Sequence, residues 1–384
     1  MDVDDWVQSE AFESTTADRS PFFDAFDLDE SRASTYSLIA VPLAVYAITR
    51  LVLYLAALYA AKATASGGLH GIFTGWDASH YLGIITQGYP RHPNPAHYSN
   101  IAFLPGYPVV VRVIKDVFQL TPLGAALFVS IGLGAVFIVL VTRLVASIYG
   151  RDAGWRAGVL LAVFPGSFIL SLPYAEALAL VLVVSCFWFT SREWPILGGI
   201  CGALATFTSS MVIPLAPALL WRAWRHRDLR AAIAAMITPI GFLVYMGYLW
   251  QHTGHPFIWF QEVSQAFDHH FRLLATFDVL HYWPSLGLID TAGIIMSIVG
   301  LVALWRIRAP IEWTAYALIL VASVFFDSAL WLTPRILLNA FPLVIGLAIW
   351  LRRGAFYTVV CLFATLLPVV FLFYMSLGIV SAQP

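Results

Sequence analysis

Residues 75–90, GWDASHYLGIITQGYP, combine a carboxylate, an imidazole and several aromatic rings directly after a long apolar stretch. In a helix, Asp77 would lie three residues before His80 and four before Tyr81, so these side chains could meet. A carboxylate close to an imidazole is a reasonable general base. The segment also offers ring faces on which a sugar could stack: Trp76, Tyr81 and Tyr89. The alternative is an interfacial helix, with Asp77 solvated or capping the helix.

Two further charged residues lie at predicted helix ends. Glu176 follows Pro173 and Tyr174 at the outer start of a helix, where an ionisable group is a functional candidate or simply a first-turn acid that the helix dipole favours. Arg335 follows Pro334, and its planar fork suits a phosphate group. For Arg335 the alternative is an ion pair with Asp327.

Other basic residues have less defined roles. Arg112 and Lys115 are alternative candidates for the cation that binds a phosphate. They belong to an amphipathic segment, residues 102–120, which we place along the membrane interface. Arg50 lies midway through the first apolar stretch and must find a polar partner or extend to the membrane surface.

Histidines raise the question of a metal. Nine of the ten fall in two predicted outer loops, and a possible ligand set is His255, His269, His270 and His281. No firm helix pairs them with a carboxylate at metal-binding spacing, so we expect no metal, with a divalent ion left open. The three cysteines have no metal-like spacing, and neither a P-loop nor a dinucleotide fingerprint is present. We therefore expect no cofactor and no nucleic-acid partner.

The composition places the chain in a membrane. Of 384 residues, 60% are apolar and 11% charged, with a mean hydropathy of +0.80. The sequence predicts an all-α, polytopic transmembrane bundle with about 11 helices. The predicted spans are 36–62, 121–149, 157–172, 174–191, 195–206, 211–224, 231–251, 286–305, 311–331, 336–351 and 355–379.

Arginines set the predicted orientation. Arg192 and the group from Arg222 to Arg230 should share the cytoplasmic face, which requires an even number of crossings between them. We therefore divide residues 195–224 into two half-length helices around the polar Thr206–Ser210 stretch, with one tilted helix as the alternative. This arrangement puts the loops 63–120 and 252–285 outside.

The amino terminus differs from the rest of the chain. Its first 34 residues carry ten of the 22 acidic residues and two arginines. We interpret residues 1–35 as a disordered acidic cytoplasmic tail and residues 36–384 as the membrane domain. The other 19 basic residues, mostly on the predicted cytoplasmic face, could contact anionic membrane lipids.

Four sequence patches resemble one family. WDASHYLGIITQGYP followed by AFLPGYPVVVR resembles the first luminal loop of PIG-V type mannosyltransferases, membrane glycosyltransferases of the GT-C class. SLPYAEALALVL is similar to the family's Tyr-Thr-Glu-Ala-Leu segment, HTGHPFIWFQ to an outer loop of its bacterial and archaeal members, and TPRILLNAFPL to a late Pro-Arg element. Together the patches span residues 76–342.

The resemblance implies a GT-C-like fold and an activity. Mannose would pass from a polyprenyl (dolichyl) phosphate carrier to a lipid-linked or surface glycan acceptor at the outer face of the cell membrane. Asp77 is the catalytic residue that the resemblance implies. The expected substrate-binding residues are Trp76, His80, Tyr81, Tyr89, Arg112, Tyr174, Glu176 and Arg335.

Three positions depart from the family pattern. Phe207 stands in ATFTSS where relatives often have an arginine, so a phosphate contact from that position is in doubt. His255 replaces an aspartate, and Gly106 replaces a leucine. The alternative functions are a lipid or polyprenol transporter, a partner in glycan assembly, or a GT-C transferase that uses another sugar or a protein acceptor.

Overall fold

The computed structural model describes most of the chain, namely residues 21–63, 68–271, 284–327 and 332–381. Within these ranges the regular secondary structure is helical, with one isolated antiparallel bridge between Phe271 and Asp327. The prediction of an all-α fold is confirmed.

The helices of the first half are α1 (Pro21–Ala63), α2 (Gly68–Thr74), α3 (Asp77–Gln87), α4 (Gly106–Phe118), α5 (Pro122–Tyr149), α6 (Arg151–Val163), α7 (Glu176–Ser191), α8 (Pro195–Thr208) and α9 (Leu215–His226). Short 3₁₀ segments follow α3, α6 and α8, at Asn100–Ala102, Pro165–Ser171 and Ser210–Val212. The second half contains α10 (Leu229–Ile237), α11 (Ile240–Thr253), α12 (Ile258–Gln265), α13 (Pro284–Arg306), α14 (Ile311–Phe325), α15 (Pro334–Asn339), α16 (Pro342–Trp350) and α17 (Arg353–Ser381).

Several of these helices are long and apolar enough to cross a membrane. Among the described residues there are five: Leu38–Lys62, Pro122–Tyr149, Leu229–Thr253, Ile289–Arg306 and Arg353–Ser376. A sixth candidate joins α6 to the 3₁₀ segment after it, with a bend of 74°. The chain is therefore a multi-pass membrane protein.

The predicted count of eleven crossings is not confirmed, because several predicted spans are short or broken helices. The predicted span 336–351 is one example: α15 ends at Asn339 and α16 starts anew at Pro342. Proline lacks the backbone N–H that a continuous helix needs, so the break falls directly before it.

The division of residues 195–224 into two helices is confirmed. α8 ends at Thr208 and α9 begins at Leu215, with the polar stretch at Ser209 and Ser210 between them. Arg230 at the start of α10 donates to Oε2 of Glu193, just before α8, at 2.5 Å. The starts of α8 and α10 therefore lie at the same end of the bundle, as the arginine distribution predicts.

α1 begins earlier than the sequence analysis places it. The helix starts at Pro21, inside the tail predicted to be disordered through residue 35. Proline is favourable at a first helical position. Residues 1–20 lie outside the described residues.

The 3₁₀ segment Pro165–Ser171 holds two parts of the bundle together. A Cβ atom added at Gly166 would lie 1.8 Å from the carbonyl oxygen of Pro334, so this segment passes the start of α15 more closely than any larger residue allows. On its other side, Arg50 of α1 donates to the carbonyl oxygen of Ser167 at 2.5 Å. Arg50 thus finds polar partners inside the bundle instead of extending to the membrane surface.

Candidate functional site

Arg335 lies at the centre of a hydrogen-bonded cluster that joins four distant parts of the chain. Its Nη2 donates to Oδ2 of Asp77, its Nε donates to Oε1 of Glu176 at 2.9 Å, and its Nη1 donates to the Tyr374 hydroxyl at 3.0 Å. We call these four residues the Arg335 cluster. The alternative partner, Asp327, instead lies 2.9 Å from Nδ1 of His269.

Helix ends position the charged members of the cluster. Asp77 and Glu176 are the first residues of α3 and α7, and Arg335 is the second residue of α15. The backbone N–H groups of a first helical turn have no partner within the helix, so they stabilise carboxylates there. Glu176 is therefore a first-turn acid that also binds Arg335, and its functional role stays a prediction.

Aromatic rings surround the guanidinium group. Its Cζ lies 4.6 Å from the centroid of the Tyr174 ring, and the Tyr174 hydroxyl is 3.3 Å from that of Tyr374. Tyr81 is buried and packs edge-on against Tyr174, with ring centroids 6.3 Å apart. These contacts fix the plane of Arg335 and leave its edge for polar partners.

The residue before Asp77 has an unusual backbone conformation. Trp76 has φ 54° and ψ −139°. Residues other than glycine rarely adopt this backbone conformation, which costs about 1–3 kcal/mol in conformational strain. Its ring stacks on Tyr374 at 5.6 Å, with 25° between the ring planes. The cluster therefore fixes the turn that places Asp77 at the start of α3.

The cluster is open to solvent on one side. The side chain of Asp77 is 25% exposed and that of Arg335 is 21% exposed, whereas Glu176 is 7% exposed. Burial lowers the pKa of Arg335, but the negative charges around it, with Asp77 the largest, raise that pKa well above its usual value. Burial, together with the charges of Glu176 and Asp77, raises the pKa of Tyr81, which keeps its phenol neutral.

His80 does not join the cluster. Its Nδ1 lies 3.1 Å from Oδ1 of Asn100, and its ring stacks on Phe103 at 4.5 Å. The predicted contact between Asp77 and His80 is therefore replaced by other partners. Helical spacing places Asp77 and His80 close together on α3. The carboxylate of Asp77, however, binds Arg335, whereas the imidazole of His80 binds Asn100.

Two other predicted site residues hold the protein's own backbone. The guanidinium of Arg112 donates to the carbonyl oxygens of Ile84 at 2.7 Å and Ile85 at 2.9 Å, near the end of α3. The Tyr89 hydroxyl donates to the carbonyl oxygen of Phe103 at 2.7 Å. The structure thus gives Arg112 and Tyr89 roles in fixing α3 and the segment after it, away from the Arg335 cluster.

Glu262 of α12 was not singled out by the sequence analysis, although it is fully buried. Its carboxylate accepts hydrogen bonds from the Ser99 backbone N–H at 2.9 Å and from the Ser99 hydroxyl at 2.5 Å. The Trp259 indole, also in α12, donates to the carbonyl oxygen of Ala102 at 3.2 Å. α12 therefore binds the segment from Ser99 to Ala102, which carries Asn100, the partner of His80.

Tyr374 was also missed. It lies in the apolar run FLFYMSL, where a tyrosine is equally typical of an interfacial anchor. Two sequence signals could have pointed to these residues. Glu262 is an acid in a predicted outer loop, and Tyr374 is a tyrosine at the predicted outer end of a span. Neither indicates which residue it contacts.

Two of the three positions that depart from the family pattern, Gly106 and Phe207, lie on or beside the ATFTSS segment. A Cβ atom added at Gly106 would lie 2.9 Å from Cα of Thr208, so a leucine there would collide with the ATFTSS segment. Phe207 packs against a small apolar cluster that includes Tyr245 and Trp259. Gly106 therefore allows α4 to approach Thr208 of α8 closely, while Phe207 packs toward α11 and α12.

The candidate metal ligands are dispersed. Within the part of the chain that the structure describes, no three His, Cys, Asp or Glu side chains are grouped so that they could hold a metal ion. His269 pairs with Asp327, and His270 lies 3.4 Å from Asp268. His281 lies outside the described residues, so the expectation that no metal binds stays a prediction.

No protein-family model matches the sequence, and a search of curated proteins finds no match. The resemblance to the PIG-V type mannosyltransferases therefore stays a prediction.

Solved membrane-protein structures do match the fold. ArnT from Cupriavidus metallidurans bound to undecaprenyl phosphate is 17% identical, with a TM-score of 0.52 over 82% of this chain and 61% of that one. The Archaeoglobus fulgidus oligosaccharyltransferase AglB, in complex with an inhibitory peptide and a dolichol-phosphate, is 12% identical, with a TM-score of 0.49 over 91% of this chain and 56% of that one. The chain thus spans about 61% and 56% of these two proteins. The likeness to ArnT, with its TM-score of 0.52, shows a GT-C-like fold.

Proposed function

We propose that this protein is a membrane glycosyltransferase that moves a sugar, mannose in the first instance, from a polyprenyl phosphate to a lipid-linked or surface acceptor. The observation that carries the proposal is the Arg335 cluster, in which a partly exposed carboxylate and a partly exposed guanidinium group meet at one end of a membrane bundle. The solved ArnT structure with undecaprenyl phosphate supports a lipid phosphate as the donor.

Arg335 can bind a phosphate without releasing its present partners. A guanidinium group has five N–H donors in a fixed plane. Three are used by Glu176, Tyr374 and Asp77, which leaves one on Nη1 and one on Nη2. These two N–H groups are the proposed donors to the phosphate oxygens.

Asp77 is the proposed general base. Arg335 holds its Oδ2, and Oδ1 has no hydrogen-bond partner among the described residues. In the proposed step, Oδ1 of Asp77 takes the proton of the acceptor hydroxyl. At the same time the hydroxyl oxygen of the acceptor bonds to the anomeric carbon, from the face opposite the phosphate. The bond from this carbon to the phosphate oxygen breaks, and its electron pair leaves with the polyprenyl phosphate.

This reaction inverts the anomeric centre and needs no second nucleophilic carboxylate. The leaving phosphate is already charged, so no strong acid is required beside it. Glu176 then has a positioning role, since it anchors the guanidinium group that faces both the phosphate and Asp77. The aromatic rings of Trp76 and Tyr81 are the proposed surfaces for the sugar and the first isoprenoid units.

Mannose as the sugar rests on the four sequence patches that resemble the PIG-V type. The test uses purified protein, native lipid extract and one radiolabelled polyprenyl phosphate at a time, carrying mannose, glucose or galactose. We expect label to appear in a new lipid or surface glycan from the mannose donor alone. Transfer from the glucose or galactose donor would show that the proposed sugar is wrong. If none of the three donors transfers label, the proposed glycosyltransferase activity is contradicted.

An outer-face site is part of the proposal, because the arginines cluster at the other end of the bundle. Single cysteines at Ser79 and Arg225, both exposed, are introduced into a variant without the native cysteines. In sealed right-side-out vesicles, an impermeant maleimide should label the Ser79 position and spare the Arg225 position. Labelling of both from outside would mean that the predicted topology is wrong.

A further inference from the structure

A second polar cleft lies at the end of the bundle opposite the Arg335 cluster. Its volume is about 300 Å³, and its lining residues are Asp152, Trp155, Arg156, Arg353, Phe356 and Tyr357. α17 connects the two places, because Arg353 begins this helix and Tyr374 lies 21 positions later. At 1.5 Å per residue that is about 32 Å, close to the thickness of a bilayer's hydrocarbon core.

Arg156 is a fixed cation at the base of this cleft. The residue is 8% exposed, and its Nη2 donates to the carbonyl oxygen of Leu351. Its Cζ lies 4.6 Å from the centroid of the Phe356 ring. Its Nε is buried without a hydrogen-bond partner among the described residues. A buried guanidinium group with a free donor is costly unless an anion completes its coordination.

Among the described side chains that line the cleft, Asp152 is the one carboxylate. Oδ2 of Asp152 lies 4.0 Å from Nη1 of Arg156, at the outer limit of an ion pair, and the Asp152 side chain is 64% exposed. An exposed acid at that distance compensates weakly for a buried cation. Arg353 lines the same cleft and is exposed, so two cations face one carboxylate.

The surroundings favour a lipid over a soluble anion. Trp155 and Phe356 form an aromatic wall, with ring centroids 5.8 Å apart, of the kind found at the level of lipid headgroups. Further along α17 the side chains of Leu362 and Val369 are exposed and would face acyl chains. Basic pockets between membrane helices commonly bind anionic headgroups.

We propose that this cleft binds the phosphate headgroup of an anionic membrane lipid, with Arg156 as the buried anchor and Arg353 as the cation at the rim. The site is independent of the proposed transferase reaction and lies on the other membrane face. The bound lipid would tie α6 to the start of α17, so it would stabilise the same helix that carries Tyr374 to the Arg335 cluster.

The test measures how much phosphatidylglycerol the full-length protein retains, by native mass spectrometry in a neutral detergent, with phosphatidylcholine as the reference lipid. Under the same conditions, the wild-type protein should retain one molecule of phosphatidylglycerol and no phosphatidylcholine. Arg353→Gln should weaken that retention roughly fivefold, the effect of one surface cation on an anionic lipid. Arg352→Gln is the matched control, since Arg352 is equally basic and exposed and does not line the cleft. Its retention should stay within about twofold of wild type.

Arg156→Lys gives a second measurement at the base of the cleft. Lysine keeps the charge and loses the planar fork, so we expect weaker retention at unchanged net charge. Equal losses in the Arg352 and Arg353 variants would mean diffuse attraction to the whole basic face and would overturn the site. Unchanged retention in Arg353→Gln would overturn it as well. Displacement of the lipid by inorganic phosphate at the same concentration would identify a soluble anion as the ligand and reject the lipid.

Discussion

Arg50 is buried and Arg335 is half-buried, both near the same 3₁₀ segment, yet their partners differ in kind. Arg50 donates to neutral oxygens, the carbonyl of Ser167 at 2.5 Å, the Ser167 hydroxyl at 2.9 Å and the Ser171 hydroxyl at 3.0 Å. Arg335 donates to two carboxylates and a tyrosine hydroxyl. Both also lie over a tyrosine ring, at 4.6 Å from its centroid.

This difference separates a structural charge from one that can take part in chemistry. Arg50 is 8% exposed and is surrounded by dipoles that belong to the fold, so nothing from outside can compete for it. The Arg335 side chain is 21% exposed, so an anion from outside can approach it in the proposed reaction. Buried ion pairs add little net stability over apolar packing, so the Arg335 cluster has no obvious value as a support alone.

The largest expected effect is on turnover, from Asp77→Asn. The amide keeps the shape of the carboxylate and can still accept a hydrogen bond from Arg335, but it cannot take a proton at neutral pH. We expect turnover at saturating donor to fall roughly 10²–10⁴-fold, the range for loss of a general base, with the thermal unfolding profile preserved.

Asp116→Asn is the matched control for that experiment. Asp116 is also an aspartate of the first outer loop, but it pairs with Lys115 at 3.0 Å and is 63% exposed. Its turnover should stay at the wild-type level. If the turnover of Asp77→Asn stays within threefold of wild type, Asp77 is not the general base. That result would favour the alternative function of a lipid or polyprenol transporter.

Arg335→Lys should produce the next largest effect. Lysine keeps the charge but cannot reach Glu176, Tyr374 and Asp77 in one plane while it also offers two parallel donors to a phosphate. We expect the KM for the lipid donor to rise about tenfold, which corresponds to loss of one hydrogen bond between charged groups. An unchanged KM, measured in donor titrations at fixed acceptor, would return Arg335 to a structural role like that of Arg50.

Much of the fold follows from local sequence properties. Membrane helices can be found from composition, because each one needs a long apolar run. The break between α8 and α9 was predictable, since Thr206–Ser210 is polar and Arg192 and Arg230 had to share one face. The earlier start of α1 and the division at Pro342 were not anticipated, because each depends on short-range helix signals that hydropathy does not measure.

Three of the four members of the Arg335 cluster were predictable from the sequence, but their contacts with one another were not. Asp77, Glu176 and Arg335 each stood out as charged residues at predicted helix ends, but nothing in the sequence says which helix ends meet. Tyr374 joins them only because α17 returns to the same end of the bundle. His80 was assigned to Asp77 by helical spacing, whereas its actual partner Asn100 comes from a segment that the spacing does not include.

Arg50→Lys tests the structural half of the comparison. Loss of the fork removes hydrogen bonds to the buried Ser167 and Ser171 oxygens, and each unsatisfied group costs about 1–3 kcal/mol. We expect a lower midpoint in thermal unfolding, with an unchanged KM for the donor in the fraction that stays folded. A rise in KM equal to that of Arg335→Lys would show that the two arginines do not differ in function.

Glu262 extends the comparison to carboxylates and gives the smallest expected effect. Like Arg50 it is buried among neutral partners, the backbone N–H and hydroxyl of Ser99. Burial raises the pKa of Glu262, although the hydrogen bonds from Ser99 oppose that change. An acid whose pKa is raised in the folded state disfavours its own ionisation there. Its contribution to stability is therefore greatest below its ordinary pKa, about 4.3, and is lost as pH rises toward the raised value.

Hydrogen exchange of residues 88–105, corrected for the intrinsic effect of pH, measures this contribution. Protection in wild type should decrease as pH rises from about 4.5 to 7, and Glu262→Gln should lack that decrease because its side chain is neutral throughout. Glu193→Gln is the control, since Glu193 is 76% exposed in its pair with Arg230, and it should keep the wild-type slope. The same slope in Glu262→Gln would show that another group governs this segment. Loss of the slope without any change in turnover would place Glu262 with Arg50, as a charge that supports the site and takes no part in its chemistry.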